Sequence, residues 1–432
     1  MMYLPAATAQ TGLQQNKKEN MEYGLIGEKL GHSFSKEIHN QIGSYDYILK
    51  EIPKTELTAF MQAKDFKGIN VTIPYKQDVI PFLDYIDDAA KEIGAVNTIV
   101  NKDGKLYGYN TDFIGLKRLI LKTGLELSGK KVLILGTGGT SKTATAAAKA
   151  LGAKEILIVS RKESETTITY EQAAAVHKDA QIILNTTPCG MYPNINACPI
   201  SVESFAGLEG VVDVIYNPLR TELIVAAQKK GLKAQGGLYM LVQQAIAAAE
   251  YFFDKPVEDE KAEAIFKNML GAKQTIVLVG MPGCGKSTVG KKLAKQLNRE
   301  LFDTDEEITK REGKTPSEII TEKGEPAFRD IEAAVCADLA TKNNVIISTG
   351  GGAILRNENV VNLKHNGVVF FIDRELEKIR PTGDRPLSNS EDKLKAVYQY
   401  RYPIYKACAD FCIKSDENVM HTVELVKENF EK

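Results

Sequence analysis

Two glycine-rich loops constrain what this chain can fold into. Each follows a β-type apolar run and precedes an Ala/Lys-rich helical run. The first is the run Lys131–Leu135, then Gly136-Thr-Gly-Gly-Thr-Ser141, then a helix to about Leu151. The second is Thr275–Val279, then Gly280-Met-Pro-Gly-Cys-Gly-Lys-Ser287, then a helix to about Leu297. Strand, loop and helix in that order is what a parallel α/β sheet requires. Further strands are expected at Glu155–Ser160, Gln181–Asn185, Val211–Ile215, Val345–Ser348 and Val368–Ile372. The charged helical stretch Asp254–Lys273 sets the main boundary near Gly271. Another α/β segment, Glu22 to about Leu121, precedes the first loop. The helix Leu238–Phe253 begins at a Gly-Gly turn and is expected to return and pack on that segment.

The 432 residues suffice for two or three domains, and 43% hydrophobic with 26% charged residues suits soluble globular cores. A net charge of -1 argues against a protein held on nucleic acid or membrane by bulk charge. No apolar run approaches the length of a membrane helix. Residues 1–20, polar and without a basic leader and apolar core, are expected to be a disordered tail rather than a signal peptide, so the reading is cytoplasmic. Cys189, Cys198, Cys284, Cys336, Cys408 and Cys412 are scattered and read as reduced thiols. Cys408 and Cys412 are expected to share a helix face, with no second pair to complete a zinc site. The oligomeric state is left open.

Gly280–Ser287 fits G-x-x-x-x-G-K-[ST] without a mismatch. Backbone N–H groups of Gly283, Cys284, Gly285 and Thr288 can surround phosphate oxygens, Lys286 can neutralise the β/γ-phosphates, and Ser287 can ligate Mg²⁺. A purely structural turn has no use for both Lys286 and Ser287. Downstream stand Phe302-Asp303-Thr-Asp305, Glu325-Pro-Ala-Phe-Arg329-Asp-Ile-Glu332, Thr349-Gly350-Gly351-Gly352, Asp384-Arg385-Pro-Leu and Tyr400-Arg401-Tyr-Pro. Singly, an arginine is usually surface and Asp303-x-Asp305 a helix cap. Together behind a phosphate loop, they resemble shikimate kinase over nearly all of Gln274–Lys432. The resemblance assigns Asp305, Arg329, Gly350, Gly351, Gly352 and Arg401 to shikimate. It assigns Arg385 to a mobile lid over ATP, and Asp303 with Ser287 to magnesium. Lys286, Asp305 and Arg385 would be catalytic, and Glu332 would orient Arg329.

The first half carries Gly31-His-Ser33-Phe-Ser35, Asn70-Val-Thr72-Ile-Pro-Tyr-Lys76, Gly94-Ala-Val-Asn97, Asn110-Thr-Asp112, Asn185-Thr-Thr187-Pro-Cys-Gly-Met191, Tyr216-Asn-Pro and Met240-Leu-Val-Gln-Gln244. Singly, Lys76 would be a surface lysine and Asp112 a cap. As an ordered set they resemble shikimate dehydrogenase across about Glu22–Leu270. The resemblance implies a shikimate pocket of Ser33, Ser35, Asn70, Thr72, Lys76, Asn97, Asp112, Tyr216 and Gln244, with Lys76 and Asp112 the catalytic pair. It implies an NADP site of Gly136, Thr137, Gly138, Gly139, Thr140, Thr187, Met191 and Gly237. The basic turn Ser160-Arg161-Lys162 follows a strand where an NAD enzyme would place a carboxylate, which suits a 2′-phosphate. His32 and His39 have no partner in the pattern and read as structural.

The resulting expectation is an α/β chain: a substrate-binding α/β domain (21–121 and 237–270), a Rossmann-like NADP domain (122–236) and a P-loop kinase domain with a parallel sheet (272–432). Its substrates would be 3-dehydroshikimate and shikimate, and its cofactors NADP(H), ATP and Mg²⁺. One alternative is an NAD-linked quinate/shikimate dehydrogenase joined to a kinase. Another is a non-catalytic metabolite sensor, which would be free to lose Lys76, Asp112 or Lys286.

Overall fold

The computed structural model describes residues 21–31, 33–380, 390–415 and 418–431. The readings made for residues 1–20, His32 and Arg385 lie outside the described residues. Three sheets organise the rest, each built around strands that are apolar along their length.

The first sheet is mixed. Its strands are β1 (Tyr23–Gly27), β2 (Tyr47–Glu51), β3 (Gly68–Val71), β4 (Tyr85–Ile86), β5 (Thr98–Lys102) and β6 (Lys105–Tyr109), in spatial order β2-β1-β3-β5-β6-β4. Its helices are α1 (Ser35–Ile42), α2 (Leu57–Ala63), α3 (Asp88–Ile93) and α4 (Thr111–Lys122). β1 is paired in parallel on both edges, and Gly24–Gly27 are buried. That is why it reads as continuous apolar sequence rather than alternation.

The second sheet is parallel throughout. β7 (Lys131–Leu135), β8 (Glu155–Ser160), β9 (Thr167–Thr169), β10 (Ile182–Asn185), β11 (Gly210–Asp213) and β12 (Lys233–Gln235) lie in the order β12-β11-β10-β7-β8-β9. Helices α5 (Gly139–Ala150), α6 (Tyr170–Val176) and α7 (Glu222–Lys229) connect them. This is the doubly wound order, with a crevice at the carboxyl ends of β7 and β10 where the winding reverses. The chain then returns through α8 (Leu238–Phe253) and α9 (Asp259–Gly271). As expected from its sequence, α8 packs on the first segment: Ala248 and Phe252 share a core with Leu25, Tyr47 and Val100. α8 also lies tightly on α4. A Cβ on Gly115 would sit 2.6 Å from the Met240 carbonyl oxygen, so only glycine allows this approach.

The third sheet is parallel: β13 (Thr275–Val279), β14 (Leu301–Asp303), β15 (Ile346–Ser348), β16 (Gly367–Asp373) and β17 (Phe411–Lys414), in the order β14-β15-β13-β16-β17. Around it lie α10 (Lys286–Leu297), α11 (Thr304–Glu312), α12 (Pro316–Ala340), α13 (Asn357–Asn366), α14 (Glu391–Cys408) and α15 (Val419–Phe430). α12 is broken at Gly324, whose φ is 82°. One expectation is corrected here. Cys408 ends α14, Ala409 is extended, and Cys412 lies in β17, so the two thiols do not share a helix face. Among the described residues no helix is long and apolar enough to cross a membrane.

His39 on α1 is fully buried, stacked on the Tyr47 ring at 3.8 Å with Nδ1 2.6 Å from the Tyr45 hydroxyl. Burial pushes its imidazole down to about 3. The unfolded imidazole takes up a proton near pH 6.5, while the folded one resists. The stabilisation is therefore complete above that pH and is lost as pH falls toward the folded value. Each tenfold difference in proton affinity is worth about 1.4 kcal/mol, so a few kcal/mol are at stake. His39→Phe keeps the ring stack without a titrating group. Its melting temperature should fall less between about pH 7 and pH 4.5 than that of the wild type, as scanning calorimetry across pH would show.

Candidate active sites

The first site lies between the first two sheets. All nine residues expected there line one cleft of about 490 Å³: Ser33, Ser35, Asn70, Thr72, Lys76, Asn97, Asp112, Tyr216 and Gln244. Thr140 and Gly237, expected on the NADP side, open into the same cleft. Lys76 Nζ donates to Asp112 Oδ2 at 2.5 Å. Local chemistry sets both ends of this pair. Tyr75, buried beside Lys76, donates its hydroxyl to the Ile52 carbonyl at 2.5 Å and pins the loop after β3. Asp112 lies in the first turn of α4, where backbone N–H groups favour a carboxylate. Asn110 caps that helix by accepting from Phe113 N at 3.1 Å.

The amides are oriented by buried partners. Tyr47 donates to Asn70 Oδ1 at 2.7 Å, and Asn70 Nδ2 donates to Thr98 Oγ1 at 2.9 Å. Asn97 Oδ1 accepts from Thr111 N at 2.7 Å, so its Nδ2 is the donor on offer to the cleft.

The glycine loop after β7 sits at the crevice of the second sheet. Gly136 has φ 105°, and a Cβ there would press on Thr186 and Thr187 at 3.0 Å. Added Cβ atoms on Gly138 and Gly139 would meet only open space. This is a cradle over the start of α5, suited to a pyrophosphate. Thr187 joins it, its hydroxyl donating to Asn185 Oδ1 at 2.7 Å. Thr137 faces a neighbouring hollow with Lys142, and Ser160, Arg161 and Lys162 lie at the carboxyl end of β8, with Arg161 and Lys162 exposed. Met191 lies in a turn beyond β10 and is exposed.

The second site is a cleft of about 630 Å³ at the carboxyl ends of β13 and β15. It gathers Gly283, Gly285, Lys286, Ser287, Thr288, Asp303, Asp305, Arg329, Gly350, Gly351, Gly352 and Arg401, as expected from the sequence. Cys284 is not in the lining. Its side chain is in the core, and its N–H donates to the Met281 carbonyl at 3.2 Å. Lys286 Nζ donates to the carbonyls of Gly280 and Met281 at 2.9 and 3.0 Å, and Ser287 Oγ donates to Asp303 Oδ2 at 2.7 Å.

Arg329 is held by Glu332 Oε2 at 2.6 Å and Glu325 Oε1 at 2.8 Å. Burial pushes the Glu332 carboxyl above its ordinary value, and Arg329 pulls it back. Glu332 Oε1 and Arg401 Nε are buried with no hydrogen-bond partner among the described residues. The Gly350–Gly352 backbone passes close over these groups. A Cβ on Gly350 would lie 2.7 Å from Asp305 Oδ1, and one on Gly352 2.3 Å from the Arg329 guanidinium.

Some supports escaped sequence reasoning. Under the first crevice, buried Asp213 accepts from Asn185 Nδ2 at 3.0 Å and from Thr221 Oγ1 at 2.7 Å, and burial pushes its carboxyl up to about 6. In the second site Thr304 Oγ1 accepts from Gly350 N at 2.7 Å, and Tyr405, one turn beyond Arg401, donates its hydroxyl to the Gly351 carbonyl. The residues Thr315, Ser317 and Ile320 also line the second cleft.

A doubly wound sheet beside a polar cleft, followed by a phosphate-loop sheet with an arginine-rich cleft, defines a chain of two α/β enzymes of small-molecule metabolism. The profile of the shikimate dehydrogenase substrate binding domain matches residues 25–99, and that of shikimate kinase matches residues 282–430. A shikimate dehydrogenase (NADP(+)) of Clostridium perfringens is 37% identical over 265 residues, covering 57% of this chain and 97% of that enzyme. One from Caldicellulosiruptor bescii is 40% identical over 261 residues, covering 53% and 88%. Among solved structures, a chorismate mutase/shikimate 5-dehydrogenase fusion from Clostridium acetobutylicum is 35% identical with a TM-score of 0.55, covering 58% of this chain and 97% of that one. The Thermus thermophilus shikimate 5-dehydrogenase, in complex with NADP(H) and shikimate, is 26% identical with a TM-score of 0.52, covering 57% and 99%. The chain belongs to the shikimate dehydrogenase family and carries a shikimate kinase domain C-terminal to it.

The steric role of Gly352 is testable. Gly352→Ala should force Arg329 away from Glu332 and cost about 1–3 kcal/mol, the usual penalty of overpacking. Calorimetry should show the loss in the transition of the third-sheet half, with the dehydrogenase half unchanged.

Proposed function

We propose that this chain performs two consecutive steps, the NADPH-dependent reduction of 3-dehydroshikimate to shikimate and the ATP-dependent phosphorylation of shikimate to shikimate 3-phosphate. The observation that carries the first step is the Lys76–Asp112 pair at 2.5 Å inside a cleft of hydroxyls and amides. Residues 21–121 with 237–270 would bind the acid, 122–236 the dinucleotide, and 272–432 ATP and shikimate.

Ser33, Ser35, Thr72, Asn97, Tyr216 and Gln244 offer the dense hydrogen bonding that a hydroxylated carboxylate needs. NADPH, when bound, supplies the hydride to the carbonyl carbon. Lys76 stabilises the oxygen that becomes an alkoxide and delivers a proton to it, while Asp112 holds the ammonium in place. The glycine cradle at α5 fits the pyrophosphate, and Arg161 and Lys162 fit a 2′-phosphate.

In the kinase half, Arg329 and Arg401 grip the shikimate carboxylate through charge-assisted bonds. Asp305 accepts the proton of the attacking hydroxyl. Lys286 exchanges its two carbonyl partners for the β/γ-phosphates, and positioning with charge neutralisation does the rest. Ser287 and Asp303 present a hydroxyl and a carboxylate at 2.7 Å, hard oxygen donors of the kind Mg²⁺ takes. Mg²⁺, when bound there, would neutralise phosphate charge.

The two activities should be separable. Lys76→Ala is expected to abolish NADPH oxidation with 3-dehydroshikimate and leave ATP consumption with shikimate intact, and Lys286→Ala to do the reverse. If either variant, still folded, loses both activities, the two-site assignment fails. Cofactor choice should rest on the basic turn. Neutral residues at Arg161 and Lys162 remove charge-assisted contacts of about 1.5–3 kcal/mol each. The NADPH Michaelis constant should then rise by at least roughly tenfold while that for NADH hardly moves. Equal effects on both cofactors would assign these residues to bulk charge.

A further inference from the structure

Among the described residues the kinase half meets the dehydrogenase at the connector after α9 and at the segment after β11, and each contact leads to a residue that lines the dehydrogenase cleft. The first is the connector between α9 and β13. Arg299 donates to the carbonyls of Gly271 and Gln274, both at 2.7 Å, and its guanidinium lies over the Phe430 ring at 4.8 Å. The end of α9 is thus clamped to the kinase half rather than tethered by a loose linker. Held in this way, Lys273 places its Nζ 3.5 Å from the centroid of the Phe34 ring. Phe34 lines the dehydrogenase cleft from the side of the first sheet.

The second place is the segment after β11. Arg220 N donates to the His365 carbonyl at 2.9 Å, its Nε to the Lys364 carbonyl at 2.8 Å, and its Nη2 to the Gly367 carbonyl. These are the carbonyls at the end of α13 and the start of β16, which Arg220 caps. Its guanidinium also meets Asp410 at 3.4 Å, and Asp410 is paired with Lys364 at 2.9 Å. In return, buried His365 donates Nδ1–H to the Arg220 carbonyl at 2.7 Å, and Leu219 N donates to Asn366 Oδ1 at 3.0 Å. Tyr216, just upstream, lines the cleft from the side of the second sheet and packs edge-on against Phe34, with centroids 5.9 Å apart.

We propose that the kinase half is a strut for the dehydrogenase: by holding Phe34 through Lys273 and the Tyr216 segment through Arg220, it fixes the wall where the two lobes meet and so raises affinity for the acid substrate. This rests on the dehydrogenase reading above. Neither Lys273 nor Arg220 lines the cleft, so both are positioning residues. Domains joined in one chain move relative to each other by default. Holding a two-lobed cleft near its bound shape removes part of the ordering cost of binding. Such support acts on ground state and transition state alike, and it appears in KM rather than kcat.

The test uses the full-length chain. Lys273→Ala, which loses a partly desolvated cation–π contact, and Arg220→Ala, which loses charge-assisted hydrogen bonds, should each raise KM for 3-dehydroshikimate, and its calorimetric Kd, by roughly three- to tenfold. Dehydrogenase kcat should stay within about twofold, and both kinase constants should be unchanged, which reports that the kinase half is folded. Lys273→Arg, which also seats a cation on the ring, should restore the wild-type KM. An unchanged KM and Kd in either alanine variant overturns the strut, as does a parallel fall of dehydrogenase kcat and kinase turnover in Lys273→Ala. A wild-type chain that binds 3-dehydroshikimate without oxidising NADPH would sink the dehydrogenase reading instead, and the Kd comparison would still decide the strut.

Discussion

Both halves depend on one constraint: a buried parallel strand must end in backbone groups that no neighbouring strand can satisfy. In β7 and β13 the chain leaves the sheet through glycines and enters a helix, whose first N–H groups lack partners within the helix. An anion placed in that crevice completes them. The second sheet turns at Gly136 and the third at Gly280–Gly285. Some other site residues occupy the carboxyl ends of neighbouring strands, as Ser160 and Asp303 do, while Asp112, Gln244, Arg329 and Arg401 come from helices. The placement of the two glycine loops in this chain is therefore a property of sheet direction.

A second level of structure keeps the functional side chains from finding other partners. Polar groups buried beneath a site must be satisfied, and here their satisfaction is also what aims the visible ones. Asn185, Asp213 and Thr221 form a buried chain of hydrogen bonds, and Asn185 in turn accepts from Thr187 and positions it. Tyr47 and Thr98 fix the face that Asn70 shows, and Glu332 fixes the direction of Arg329. Such arrangements tolerate little substitution, because a half-satisfied buried network costs more than an apolar core.

The glycine loops and the strands on either side of them were legible, since period, length and turn residues all agree there. The clusters Asn70–Lys76, Asn110–Asp112 and Asp303–Asp305 were legible because several chemically apt residues lie close together in sequence. Asp213 was not, because a lone aspartate ending an apolar strand has no local sign of burial. Tyr405 looked like one aromatic among several in α14, and only tertiary contact shows that it carries the Gly351 carbonyl. For Cys284 the motif speaks only of the backbone in the phosphate loop, and only packing shows that its side chain enters the core. The break of helix at Cys408 was missed because the residues around it have no proline or glycine to announce it.

The connector Ala272–Gln274 bears on how such a chain can be assembled from parts. Fused enzymes are often pictured as interchangeable beads on a string. Here the carbonyls of Gly271 and Gln274 are already committed to Arg299, a residue that belongs to the downstream bead. A foreign kinase spliced in at this junction would bring no matching guanidinium, and the last turn of α9 would lose one of its terminal partners. Extra residues inserted at the same point would not behave as a neutral spacer, because they would pull the clamped carbonyls out of reach. The two halves are thus parts cut to fit one another, and shuffling either of them would require the junction to be exchanged along with it.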